Sequence, residues 1–155
     1  PGIYKLSELD IPITLSISLH APFDDIRSDM MKVNRRWGIS ELMQACKDYQ
    51  KVTGRRISFE YALIEGVNDT PACAQELASR LRGMSAHVNL IPVNPVKERD
   101  YKKSSKERIR RFQEILEKHH INATVRRELG SDINAACGQL RRSTIKTEAG
   151  GTLSE

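Results

Sequence analysis

Several absences narrow the possibilities before any motif is read. No apolar run in the 155 residues approaches the roughly 20 needed to cross a bilayer, and no secretory signal pattern opens the chain. There is no CxxC pair and no short Cys/His cluster, and the three cysteines, Cys46, Cys73 and Cys137, are widely spaced and odd in number. That pattern speaks against a secreted disulfide framework and against a metal motif, and it points to a reducing, cytoplasmic setting without a membrane. Aromatic residues make up only 5% and do not alternate with basic ones, so a stacking platform for single strands is poorly supported. The opening PGIYKL has no initiator methionine, as expected of a fragment or a processed chain.

What is present begins with charge. The net charge is +5, and Lys97 to Arg127 holds eleven Lys and Arg against five Asp and Glu, which is the whole excess. Such a stretch attracts polyanions, RNA among them, and equally suits a solvated helix face.

The pattern alternates strand and helix. In ITLSISLH, Ile13, Leu15, Ile17 and Leu19 share one face while Thr14, Ser16, Ser18 and His20 share the other, a period of two. Ile39, Leu42, Met43 and Cys46 then recur at helical spacing up to a stop at Gly54. RISFEYALI alternates again, with Glu60 on the polar phase, and Thr70-Pro71 opens a second helix that ends at Gly83. HVNLIPVNP predicts a third strand ending at Asn94-Pro95. Ser104 with Glu107 predicts a capping box for a helix buried through Ile109, Phe112, Ile115 and Leu116, and NATVRR predicts a last strand.

Strands alternating with helices imply an α/β fold with a parallel sheet. Both faces of a doubly wound sheet meet helices and should be apolar, whereas the two clearest strands each have one polar face. A barrel or part-barrel fits better, with its chemistry at the carboxyl ends of the strands. That places Ser18-Leu19-His20, the loop from Glu65, and Asn94 at the chemical edge. Each residue also has a plain reading: His20 as a satisfied strand-end histidine, Asn94 as a turn residue, Glu60 in a structural hydrogen bond, Cys137 as a small core residue.

The strings SISLHAP, FEYALIEGVND, VNLIPVNP, SSKERIRRF and VRRELGSDINAACGQL, in this order, resemble the radical S-adenosylmethionine ribosomal-RNA adenine methyltransferases. The resemblance runs from about Pro1 to Leu140. It implies the C-terminal half of a partial (βα)6 barrel over residues 1–140, carrying a catalytic cysteine loop, and a flexible tail over 141–155. It implies S-adenosylmethionine contacts at Ser18, Leu19, His20 and Asn94, and a methyl-carrying catalytic cysteine at Cys137. It also implies a four-iron four-sulfur cluster whose three ligands belong to a segment upstream of this sequence, so no metal ligand is assigned here. The implied partners are 23S rRNA, tRNA and an electron donor for the cluster, with no stable protein partner. The reaction implied is methylation at carbon 2 of adenine. A sister enzyme acting at carbon 8 shares the same motifs, and a non-catalytic RNA-binding module is the alternative from another class.

Overall fold

The computed structural model describes residues 1–93 and 100–126. In chain order these form helix α1 (Gly2–Ser7), strand β1 (Leu15–Ser18), helix α2 (Asp24–Met30) and a 3-10 turn (Lys32–Arg35). Helix α3 (Ile39–Thr53), strand β2 (Ile57–Leu63), helix α4 (Pro71–Leu81), strand β3 (Ala86–Pro92), helix α5 (Lys106–Lys118) and strand β4 (Asn122–Val125) follow. Asn94, Cys137 and the boundary at residue 140 lie outside the described residues.

The four strands are parallel and lie in the order β1-β2-β3-β4. A crossover between parallel strands is nearly always right-handed. When every crossover also steps the same way across the sheet, as here, every helix lands on the same face. Doubly wound sheets cover both faces only because their strand order reverses. The unreversed order is the winding of a barrel, and it explains why the strands have one apolar and one polar face. Ile57, Phe59, Tyr61 and Leu63 of β2 are fully buried, as are Val88 and Leu90 of β3. They pack with Met43, Cys46 and Tyr49 of α3, Leu77 and Leu81 of α4, and Phe112 and Leu116 of α5 in one core. At about 1.5–3 kcal/mol for each large apolar side chain taken from water, this face is the main source of stability.

The helix ends follow local chemistry. Gly54, at φ 66°, ends α3 with its N–H on Gln50 O at 2.8 Å, a left-handed stop suited to glycine. The Thr70 hydroxyl accepts from Cys73 N at 3.2 Å with Pro71 in the first turn of α4. The predicted cap of α5 is displaced by one residue. Ser105 is the N-cap and accepts from Arg108 N, while the buried Ser104 donates its hydroxyl to Asp69 Oδ2 at 2.8 Å. Two adjacent serines compete for one cap, and the buried carboxylate takes the first. Helices α1 and α2 form in stretches the periodicity leaves as loop, since six and seven residues hold too few turns to show it.

Candidate active-site edge

The pairing register lines up two polar rows across the open face of the sheet. One is Ser16, Ser58, His87 and Asn122, and the other, nearer the carboxyl edge, is Ser18, Glu60, Asn89 and Thr124. The second row is a connected network. Asn89 Nδ2 donates to Glu60 Oε1 at 2.8 Å, and Thr124 Oγ1 donates to Asn89 Oδ1 at 3.0 Å. His87 Nε2 lies 3.0 Å from Asn89 Oδ1 and 2.9 Å from Thr124 Oγ1. Glu60, Asn89 and Arg126 line an open cavity of about 440 Å³.

At the end of β1 the chain turns sharply, and its polar groups are almost fully allocated. His20 sits at φ 59°, a left-handed conformation that is costly for a residue with a Cβ. Its Nδ1 accepts from Ala62 N at 3.0 Å, which fixes the neutral ring as the Nε2–H tautomer. Burial lowers the His20 pKa, the Arg27 charge lowers it further, and Glu60 opposes both. His20 is therefore a neutral ring with one outward donor. The Ser18 side chain is exposed on the polar face. Leu19 points the other way: its side chain is fully buried, its N–H donates to Glu60 O at 3.0 Å, and its carbonyl accepts from Arg27 Nε at 2.9 Å.

Two residues that the sequence reading does not assign to the site hold this turn. Arg27, 3% exposed, also donates from Nη2 to Ser18 O at 3.0 Å and from Nη1 to Asn34 Oδ1 at 2.7 Å. Asn34 is fixed by Asp24, whose carboxyl is held below its usual range chiefly by the Ile39 N–H and then by the Asn34 amide. Asn68 is fully buried and uses every polar atom of its side chain. Nδ2 donates to His20 O and Ala62 O, each at 2.6 Å, and Oδ1 accepts from Ile64 N at 2.8 Å. Its carbonyl accepts from Tyr61 Oη at 2.8 Å. The neighbouring Asp69 carboxylate accepts from Gly66 N, Ser104 Oγ and Arg108 Nη1, tying α5 to the same loop. Buried arginines and asparagines look like ordinary polar loop residues in one dimension, so periodicity misses them.

The described residues fit one of the two implied cofactors. Ser18 carries an exposed hydroxyl, and His20, with Nδ1 taken by the Ala62 N–H, keeps Nε2–H as a donor, chemistry compatible with the hydroxyls of an adenosyl group. They do not fit an iron–sulfur cluster: among the described residues no group of three or more His, Cys, Asp or Glu is placed to hold a metal. Cys46 and Cys73 are both buried in helices, and burial pushes the Cys46 thiol up to about 12, far from a ligating thiolate. Among the described residues no helix is long and apolar enough to cross a membrane. Of the basic stretch, Lys102, Lys103, Lys106, Arg110 and Arg111 are exposed, while Arg108 pairs with Asp69 at 2.7 Å.

Comparison with solved structures agrees with this fold. A radical SAM methyltransferase from Sphaerobacter thermophilus superposes with a TM-score of 0.85 at 52% identity, over 90% of this chain and 41% of that one. A domain of pyruvate-formate lyase-activating enzyme from Bacteroides vulgatus shares the fold alone, with a TM-score of 0.61 at 18% identity, over 74% of this chain and 67% of that one. No family model matches the chain. The class defined by fold and sequence together is the radical SAM methyltransferases. Within it, a probable dual-specificity RNA methyltransferase RlmN of Lachnoclostridium phytofermentans is 55% identical over 95% of this chain. The chain is similar to that methyltransferase over nearly its whole length, and it spans 42% of the length of this curated relative.

Proposed function

We propose that this chain is the part of a radical SAM RNA methyltransferase that supplies the carboxyl-edge cofactor contacts and the methyl-accepting cysteine, in an enzyme acting on carbon 2 of adenine in 23S rRNA and tRNA. The observation that carries the reading is the 55% identity over 95% of the chain to a dual-specificity RNA methyltransferase. The open polar edge supports it. Ser18 and the Nε2–H of His20 bind and orient the adenosyl part of S-adenosylmethionine, Leu19 braces the turn through its main chain, and Asn94 is a further contact. Bound S-adenosylmethionine, with a four-iron four-sulfur cluster and its electron donor, supplies the methyl group and the radical chemistry. Cluster ligation is assigned to residues outside those described here.

Cys137 is the methyl acceptor in this reading. The two described cysteines are core residues, and a buried thiol is a poor nucleophile. The protein expressed from its whole natural reading frame, in cells lacking the activity, should restore 2-methyladenine in 23S rRNA and tRNA. Nucleoside mass spectrometry separates this product from 8-methyladenine. Cys137→Ala should abolish the product and Cys46→Ala should retain most of it. Near-normal methylation by Cys137→Ala overturns the assignment.

A further inference from the structure

The cavity over the second polar row is absorbed by none of the contacts above, and its chemistry is specific. Thr124 Oγ1 donates to Asn89 Oδ1, with His87 Nε2 at 3.0 Å from the same oxygen. This fixes the amide so that Nδ2 faces Glu60 Oε1. The hydrogen bonds run toward the carboxylate, polarise one another, and leave Glu60 Oε2 as an oriented acceptor. Among the described residues, nothing occupies that oxygen. Arg126 lines the same cavity and forms no ion pair with Glu60 there. A cavity that presents a fixed carboxylate acceptor and a separate guanidinium matches a ligand with a hydroxyl or amino donor at one end and an anion at the other.

Resting on the RNA methyltransferase reading, we propose that Glu60, Asn89 and Arg126 form a nucleotide subsite for the RNA substrate, with a base amine or ribose hydroxyl on Glu60 and a phosphate on Arg126. Only its far end is separated from the cofactor contacts by distance, since Glu60 on β2 is the register partner of Ser18. Ser18 and His20 end β1, whereas Arg126 follows β4, three strand spacings or roughly 14 Å across the sheet. A guanidinium grips a phosphate in a two-pronged contact and grips a carboxylate equally, so the methionine end of S-adenosylmethionine is the competing occupant and calorimetry of the cofactor without RNA separates the two.

The test uses the protein expressed from its whole reading frame, a synthetic RNA hairpin with an accessible adenosine, and S-adenosylmethionine by calorimetry without RNA. Arg126→Gln should weaken hairpin binding roughly tenfold at low salt and reduce the slope of log affinity against log salt by about 0.7–0.9, one phosphate contact. Glu60→Gln should weaken hairpin binding about tenfold with the slope unchanged. Both variants should keep cofactor affinity within about twofold of wild type, a charge-assisted contact being the only one removed. If Arg126→Gln does not fold, as judged by circular dichroism, Arg126→Lys replaces it and should keep the salt slope while losing affinity. Loss of cofactor affinity with hairpin binding intact makes the cavity part of the cofactor pocket and overturns the proposal. No change in either affinity also overturns it, leaving the network purely structural. A wild-type protein that binds the hairpin through these residues but methylates no RNA defeats the methyltransferase reading alone.

Discussion

The two faces of β2 are made from alternate residues of one heptapeptide and have opposite tasks. Ile57, Phe59, Tyr61 and Leu63 are fully buried against α4 and α5, with the Tyr61 and Phe112 ring centroids 5.1 Å apart. Ser58, Glu60 and Ala62 face the open side, where Glu60 meets Asn89 and the Ala62 N–H meets His20. The first face stabilises through area removed from water, and its contacts are many and undirected. The second holds few bonds, each with a defined donor and acceptor. Stability and ligand geometry can therefore be disturbed separately in this strand.

The widest separation should come from neighbouring substitutions. Phe59→Ala should cost about 3–5 kcal/mol in urea unfolding, because it empties a fully buried site. Glu60→Gln, one residue on, should change stability by less than about 1 kcal/mol, since the amide oxygen can still accept from Asn89. Comparable losses from the two would show that the polar face is also structural.

Asn68→Ala tests where the faces join. It removes the partners of two partly buried carbonyls and one buried N–H and should cost about 2–3 kcal/mol. A merely structural role stops there. A positioning role also shows in the nitrogen NMR spectrum of His20, where the single Nε2–H tautomer should give way to a mixture as the Ala62 contact loosens. A wild-type His20 spectrum in Asn68→Ala would remove Asn68 from the list of positioning residues.

The smallest effect concerns protons. The folded-state pKa of His20 lies below the ordinary 6.5, mainly through burial. Its contribution is thus fully present above pH 6.5 and is lost as pH falls through the lower folded value, because the unfolded chain binds the proton first. Urea unfolding between pH 7 and 5 should show stability declining on acidification, less steeply in His20→Asn, which tolerates the left-handed backbone. Asp24 does not interfere, since its depressed pKa acts only below its ordinary 3.8. An unchanged slope in the variant would mean that His20 titrates as an exposed ring does.

Much of the fold was legible because it follows from short-range chemistry. Alternation located β1 and β2 and identified the polar phase that bears Ser18 and Glu60. The Thr70-Pro71 and Gly54 signals bounded α4 and α3 to within a residue or two. The motif strings led to the family that the solved relative then supported at 52% identity. Cap choice at Ser104 and Ser105 was not legible, because both serines meet the local rule and only the buried Asp69 separates them.

By itself, the sequence determined which residues alternate, where α3 and α4 start and stop, and that one side of the sheet stays polar, since these depend on spacing along the chain. Only the tertiary structure decided that Arg27 and Asn68 clamp the Ser18–His20 turn, that His20 is a neutral Nε2–H donor, and that Glu60, Asn89 and Arg126 share a cavity. Arg27 reaches back eight and nine positions, and the other pairings join residues 29 to 48 positions apart or cross strands whose register no local pattern specifies. A buried donor or acceptor must find whatever partner the packed fold brings to it.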